Sequence, residues 1–339
     1  MKTMKWAILG TGYIADSFAN AMNSDILSGT EKAAVCGISL EEARSFGEKH
    51  GIKTHFDNFD RMLEEISPDV AYIAVPNMLH YQFVMKALER GINVLCEKPM
   101  ADNEWQLQDM LKKAEEKGVF LMEGMWTRCF PATRKLCEWL EAGKIGNVKS
   151  VRADFGLKAV EGWQGWKASA SHAGGALRDV GIYCLAWAFL AFNGESPLKI
   201  HSVCRMKNNA DYHDEMLLHF SQERTAYITA SFDMVTNHSV SIYGEKGVIT
   251  VGPRLWCPQQ AELFMFDPTD EFTRKKTESF EDNHLYSGMQ YEISHVNECI
   301  RSSKRESPYF SLKETLAIAR LIDSLRKEWG VRYPSDDHN

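Results

Sequence analysis

The chain has no apolar run long enough to cross a bilayer. The longest, Tyr183 to Phe192, falls short of the ~20 residues that a spanning helix needs. It has no basic excess either: 39 Lys and Arg stand against 46 Asp and Glu, a net charge of -7. That balance excludes the basic surface on which nucleic-acid binding depends. The eight cysteines show no CxxC and no paired spacing. Cys36 and Cys96 lie inside β-like runs and read as small core residues of a protein in the reducing cytoplasm. Among the 11 histidines there is no HExxH, nor any pair four residues apart beside a carboxylate, so no metal is expected. A Ser-His-Asp site has no nucleophile-elbow sequence to support it. The opening MKTMKWAILGTGYIAD breaks at Gly10 and Gly12 and reaches Asp16 without a small-residue cleavage site, which does not fit a signal peptide. No internal repeat and no flexible linker is visible.

What remains is a globular composition, 44% hydrophobic and 25% charged, in 339 residues, a length that suits two domains. The first part alternates apolar strands with amphipathic helices. KWAIL, AAVCGI, VAYIAV, NVLCE and VFLME are the strands, and EEARSFGEKHG, YQFVMKALERG and EWQLQDMLKKAEEKG are three of the helices between them. Such a beat predicts a doubly wound parallel sheet with right-handed crossovers. Beyond residue 123 the texture changes. One long helix near 174–192 precedes runs of period-two alternation (KIHSVCRM, EMLLHFS, TAYITASFDM, SVSIYG, GVITV, AELFMF), and two helices near 286–302 and 312–328 close the chain. The fold class expected is α/β: a dinucleotide-binding Rossmann domain over 1–123, then an α+β domain with a large, mostly antiparallel open sheet over 124–339.

Gly10-Thr11-Gly12-Tyr13-Ile14-Ala15 matches G-x-G-x-x-A directly after a strand and before a helix. Gly10 permits the tight turn, Gly12 lets the backbone approach a pyrophosphate, and Ala15 keeps helix and strand close. An acid after the second strand would hold a ribose 2′-hydroxyl, and an Arg would hold a 2′-phosphate. Gly37-Ile38-Ser39 has neither. Because Ser39 could donate to a phosphate and Arg44 could reach back, the reading leans to NADP and leaves NAD open. Glu97-Lys98-Pro99 ends a further strand, at the sheet edge where ligands of open α/β sheets lie. Lys98 is therefore a candidate catalytic cation; a surface lysine paired with Glu97 is the alternative. In GGALRDVGIYCLAW, residues 174–187, Asp179 and Tyr183 stand four apart and share a face if the segment is α-helical. A polar pair in an apolar helix costs stability unless it is satisfied or used.

The glycine turn, the EKP sequence and this glycine-led helix resemble the Gfo/Idh/MocA oxidoreductases over residues 4–330. In that family a His commonly stands where this chain has Tyr183. Together, MEGMWTRCFPA and DVGIY resemble the branch containing dimeric dihydrodiol dehydrogenase and NADP-dependent D-xylose dehydrogenase. The resemblance implies hydride transfer between nicotinamide and a carbon bearing oxygen, on a sugar, polyol or vicinal diol. Tyr183 would be the acid/base, its pKa lowered by Lys98, with Asp179 orienting Lys98 or the substrate hydroxyl. Pro76, Asn77 and His80 would lie along the cofactor. Trp126, Arg128 and Phe130 read as a short extended run lining the cleft, with Phe155, Trp256 and Phe280 matching more loosely. Relatives often carry an Arg shortly before the glycines, where this chain reads Trp166-Lys167. The antiparallel sheet implies a homodimer face. Two other readings stay open: a glycosidase that oxidises and re-reduces its substrate on a tightly held cofactor, and a non-catalytic dinucleotide-binding redox sensor.

Overall fold

The computed structural model describes residues 3–159, 165–284 and 286–338. They divide into two compact units, residues 1–126 with 284–316 and residues 127–283 with 317–338.

In the first unit, β1 (Met4–Leu9) leads into α1 (Tyr13–Ala21), followed by β2 (Thr30–Cys36), α2 (Leu40–His50), β3 (His55–Phe56) and α3 (Phe59–Ile66). Then come β4 (Val70–Ile73), α4 (His80–Glu89), β5 (Asn93–Glu97), α5 (Glu104–Lys117) and β6 (Leu121–Gly124). The strands form one six-stranded sheet in the order β3-β2-β1-β4-β5-β6, with every pair parallel. The reversal of order between β1 and β4 is the switch point at which such sheets open a ligand crevice. Local signals set the helix ends. Ser39, Asn58 and Asn103 accept hydrogen bonds from the first-turn amides of α2, α3 and α5, while Gly51 and Gly118 close α2 and α5 in the left-handed region.

The second unit holds α6 (Pro131–Glu141), β7 (Val148–Gly156), α7 (Ile182–Ala191), β8 (Lys199–Lys207), β9 (Ala210–His219) and β10 (Thr225–Ser231). It continues with β11 (Val240–Gly244), β12 (Gly247–Val251), β13 (Gln260–Asp267) and β14 (Asp270–Glu281). Its eight strands run in the order β14-β13-β12-β11-β7-β10-β9-β8, antiparallel except for β7 beside β10. Val151, Ala153 and Phe155 of β7 point to the buried side, where α7, apolar but for the Tyr183 hydroxyl, lies against β7 and β10.

The last two helices are α8 (Met289–Arg301) and α9 (Leu312–Trp329). Residues 284–316, which the sequence reading left in the second domain, return to the first unit. Polar contacts hold them there. Trp6 Nε1 donates to Asn297 Oδ1 at 3.0 Å, Asn297 Nδ2 to Thr30 Oγ1 at 2.8 Å, and Leu121 N to the Arg305 carbonyl at 3.0 Å.

Candidate active site

Gly10 takes a φ of +115°, and a Cβ there would stand 2.3 Å from the Ala74 carbonyl oxygen. Its N–H donates to the Cys36 carbonyl at 2.9 Å, tying the turn to the end of β2. Gly12 is the opposite case: a Cβ there meets nothing within 4 Å. It caps α1 with no side-chain hydrogen bond to the first-turn amides. Free amides, a positive dipole end and a missing side chain are what a pyrophosphate requires, and the turn fits a dinucleotide. Ala15 is fully buried, Ile14 is half-buried, and Tyr13 is 82% exposed.

Lys98 follows β5, half-buried, and the Lys98–Pro99 peptide is cis. Three buried side chains hold its turn. Glu97 accepts the Tyr72 hydroxyl at 2.6 Å, and Glu123 Oε1 accepts the Met100 N–H at 2.9 Å. The His80 ring spans two carbonyls, with Nδ1 2.9 Å from Pro99 O and Nε2 2.9 Å from Val75 O. The ring thus lies between the β4 and β5 turns, its single N–H when neutral donating to one of the two carbonyls. Of the residues expected along the cofactor, Glu97 and His80 are buried beside the Lys98 turn, while Pro76 and Asn77 stay accessible. Burial pushes the Glu97 carboxyl up, opposed by Tyr72 and Lys98, and Glu292 of α8 is pushed well up by burial and by Glu97.

In the second unit the helix carrying Asp179 and Tyr183 opens with a π turn over Leu177–Gly181 before α7 begins. The four-residue spacing is therefore not that of a plain α-helix, and π turns of this kind recur at functional sites. Lys167 Nζ donates to Asp179 Oδ2 at 3.4 Å, so the segment in which an Arg was missing supplies the carboxylate's cation. Tyr183 is 7% exposed, and its ring lies 5.9 Å from that of Phe155. Phe155 stacks on Trp256 at 4.2 Å and 11°, and the His238 ring is 5.3 Å from each. The Trp256 carbonyl accepts from Thr127 Oγ1 at 2.6 Å, and the neighbouring Leu255 carbonyl accepts from Trp187 Nε1 at 3.0 Å. Tyr183, Phe155, Trp256 and His238 thus form one aromatic group. His238 was not legible because only pairing β11 with β7 brings it there; its N–H donates to Asp154 Oδ2 at 2.8 Å.

Other expectations are corrected. Trp126, Arg128 and Phe130 do not form an extended run, because Trp126–Cys129 is a 3-10 turn and Phe130 is buried ahead of α6. Arg128 is buried too and donates to the Ala186 carbonyl of α7 at 2.6 Å, a contact that supports the helix. Phe280 lies on the edge strand β14, with β13, β12 and β11 between it and Phe155 on β7.

The start of the π turn is held from below. Gly175 has a φ of +149°, and a Cβ on it would stand 2.1 Å from Asp211 Oδ1. Asp211 Oδ2 accepts the Leu177 N–H at 2.6 Å. Asp211 and Asp214, both on β9, are fully buried, and neither oxygen of Asp214 meets an N–H or O–H donor. A proton on Asp214 donated to Asp211 satisfies the pair. Burial, then the Asp211 charge, pushes the Asp214 carboxyl up to about 9. An unfolded Asp gives up its proton near pH ~3.9, so between that pH and about 9 the folded chain binds the extra proton, and stability falls as pH rises through this window. Asp214→Asn keeps a donor toward Asp211 and needs no proton. It should flatten the loss of thermal stability between pH 5 and 9, with a Tm at pH 8.5 about 2 °C or more above the unsubstituted chain. Parallel Tm-against-pH curves for the two proteins would remove the shared proton.

A dinucleotide turn at the switch point of a parallel sheet, joined to a second α+β unit, places the chain among the NAD(P)-binding oxidoreductases. When bound, the nicotinamide supplies or accepts the hydride. Residues 4–125 match the oxidoreductase family with an NAD-binding Rossmann fold, and residues 133–250 match the GFO/IDH/MocA C-terminal domain. The chain belongs to the GFO/IDH/MocA family. It is 32% identical over 341 residues to a trans-1,2-dihydrobenzene-1,2-diol dehydrogenase of Macaca fascicularis, covering 99% of each chain. Levoglucosan dehydrogenase, solved with NADH and L-sorbose, has the same fold at a TM-score of 0.86 and 16% identity, covering 97% of each chain. A 3-ketoreductase from Actinomadura kijaniata, solved with NADP and TDP-benzene, superposes at a TM-score of 0.82 and 22% identity, covering 96% of this chain and 98% of that one. Among the described residues no helix is long and apolar enough to cross a membrane.

Proposed function

We propose that the chain transfers a hydride between a nicotinamide and a carbon bearing oxygen on a sugar, polyol or vicinal diol, with Tyr183 exchanging the proton of the substrate oxygen. The observation that carries this is the place of Tyr183 beside the stacked Phe155–Trp256 pair. Aromatic faces suit the C–H surface of a sugar ring or a cyclic diol, and a phenol next to them can hold the oxygen's proton. Asp179, paired with Lys167, orients a substrate hydroxyl, and Lys98 supplies positive charge where oxygen becomes anionic. Relatives whose names or solved complexes involve a dihydrodiol and L-sorbose support this substrate class.

The test is a panel of sugars, polyols, vicinal diols and dicarbonyls with NAD(H) and NADP(H), read by absorbance of the reduced nicotinamide. At least one class should turn over, with net change in cofactor redox state. Silence across the whole panel would sink the reading, and sugar release without net redox change would replace it with a glycosidase.

We further propose a homodimer formed through the sheet face that carries Arg152 between the rings of Tyr227 and Tyr243, 5.5 and 5.7 Å away. Tyr227 and Val203 are exposed there. A solution mass of one chain would refute it. None of the eight cysteines forms a disulfide, which supports placing the protein in the reducing cytoplasm, to be checked by cell fractionation.

A further inference from the structure

We infer that Glu42, in the first turn of α2, makes this chain select NAD over NADP. The inference rests on a dinucleotide being bound at the Gly10–Gly12 turn. In a Rossmann sheet the adenosine ribose then falls at the carboxyl end of β2. Here that end and the glycine turn abut. Gly10 N–H donates to the Cys36 carbonyl at 2.9 Å, and a Cβ on Gly37 would lie 3.2 Å from Thr11 Cγ2. Thr11, between the two glycines, donates its hydroxyl to Glu42 Oε2 at 3.3 Å. The carboxylate therefore sits against the turn from the ribose side, although it comes from the helix and not from the strand end where acids are sought.

The groups that would welcome a 2′-phosphate are placed otherwise. Ile38, the second residue after β2, is 86% exposed and carries no charge. Ser39 Oγ accepts the Glu42 N–H at 3.2 Å as the cap of α2. The buried stripe of α2 is Ala43, Phe46, Gly47 and His50, and at about 100° per residue Glu42 and Arg44 leave from opposite flanks of it. Glu42 is on the Thr11 side, and Arg44 leaves the helix on the other flank. Lys49 is paired with Asp16 of α1, and His50 Nε2 lies 2.8 Å from Asp16 Oδ1, which fixes the helix in this orientation. Asp57 adds negative charge beside β2, where burial and that charge push the Cys36 thiol up to about 12. A ribose 2′-hydroxyl can donate to the Glu42 carboxylate. A phosphate there would meet the like charge of Glu42 and Asp57.

The test is direct titration of the purified protein with NADH and with NADPH in the absence of substrate, read by nicotinamide fluorescence and by calorimetry. NADH should bind at least ~10-fold more tightly than NADPH, the difference shrinking as salt screens the exposed charge. Glu42→Gln should bring the ratio to within ~3-fold, and Glu42→Arg should reverse it. Equal or tighter binding of NADPH by the unsubstituted chain overturns the inference, as does a ratio that Glu42→Gln leaves unchanged. Failure to bind either dinucleotide overturns it together with the cofactor turn. A silent substrate panel beside a clear NADH preference would defeat only the substrate reading.

Discussion

Tyr183→Phe should lower turnover at least ~100-fold, the usual contribution of a positioned acid or base, while leaving dinucleotide affinity and Tm close to their starting values. The ring is what packs: it lies beside Phe155 near the start of the apolar α7, and phenylalanine keeps that contact. The substitution removes the hydroxyl and with it the exchangeable proton. The loss should fall on kcat more than on KM, because the proton moves in the transition state. Unchanged turnover would return the proton transfer to Lys98 or to water, and a large drop in Tm would show that the hydroxyl is structural.

The second large effect is expected at a glycine. Gly175→Ala should destabilise the protein by about 3 kcal/mol or more, seen as an earlier urea midpoint. The new Cβ would stand 2.1 Å from Asp211 Oδ1 at a backbone φ of +149° that side chains rarely adopt. Asp211 cannot simply swing aside, since its other oxygen holds the Leu177 N–H and it is fully buried. The neighbourhood is tied from several directions. Gly175 N–H donates to the Lys167 carbonyl at 2.8 Å, and the Tyr333 hydroxyl donates to the Gly174 carbonyl at 3.0 Å. The guanidinium groups of Arg178 and Arg326 lie 5.0 and 3.9 Å from the Tyr333 ring centre. Strain at Gly175 should therefore displace Asp179 and Tyr183 as well, so turnover should fall while NADH binding by the first unit persists. An unchanged midpoint would mean that this turn relaxes freely, against the packing described.

The Rossmann unit was legible because its signals are local. Strand–helix alternation, the glycine turn and the capping residues each act within a few positions of themselves. The return of 284–316 to that unit was not legible, because Trp6, Thr30 and Asn297 are individually ordinary residues. Three strands lie outside the runs read from the sequence: the two-residue β3, too short to show a period, and β7 and β14, for different reasons. β7 alternates Val151, Ala153 and Phe155 with less buried residues over a short stretch, and it is central to the sheet. β14 (DEFTRKKTESFE) is an exposed edge strand with almost no apolar face, so period-two alternation has nothing to show.

The sequence by itself determined the dinucleotide fold, the family resemblance and the chemically distinctive residues Lys98, Asp179 and Tyr183. Tertiary structure alone decided which of the suspected residues are supports. His80, Glu97 and Arg128 are buried and hydrogen-bonded to backbone or side chains, Lys167 is paired with Asp179, and His238 and the Asp211–Asp214 pair come only from the structure. The physical reason is the range of the interactions. Caps, turns and periodicity are set by neighbours in the chain. Whether a charged side chain faces a ligand or a buried carbonyl depends on partners tens to hundreds of residues away, and Glu42 beside Thr11 is such a case.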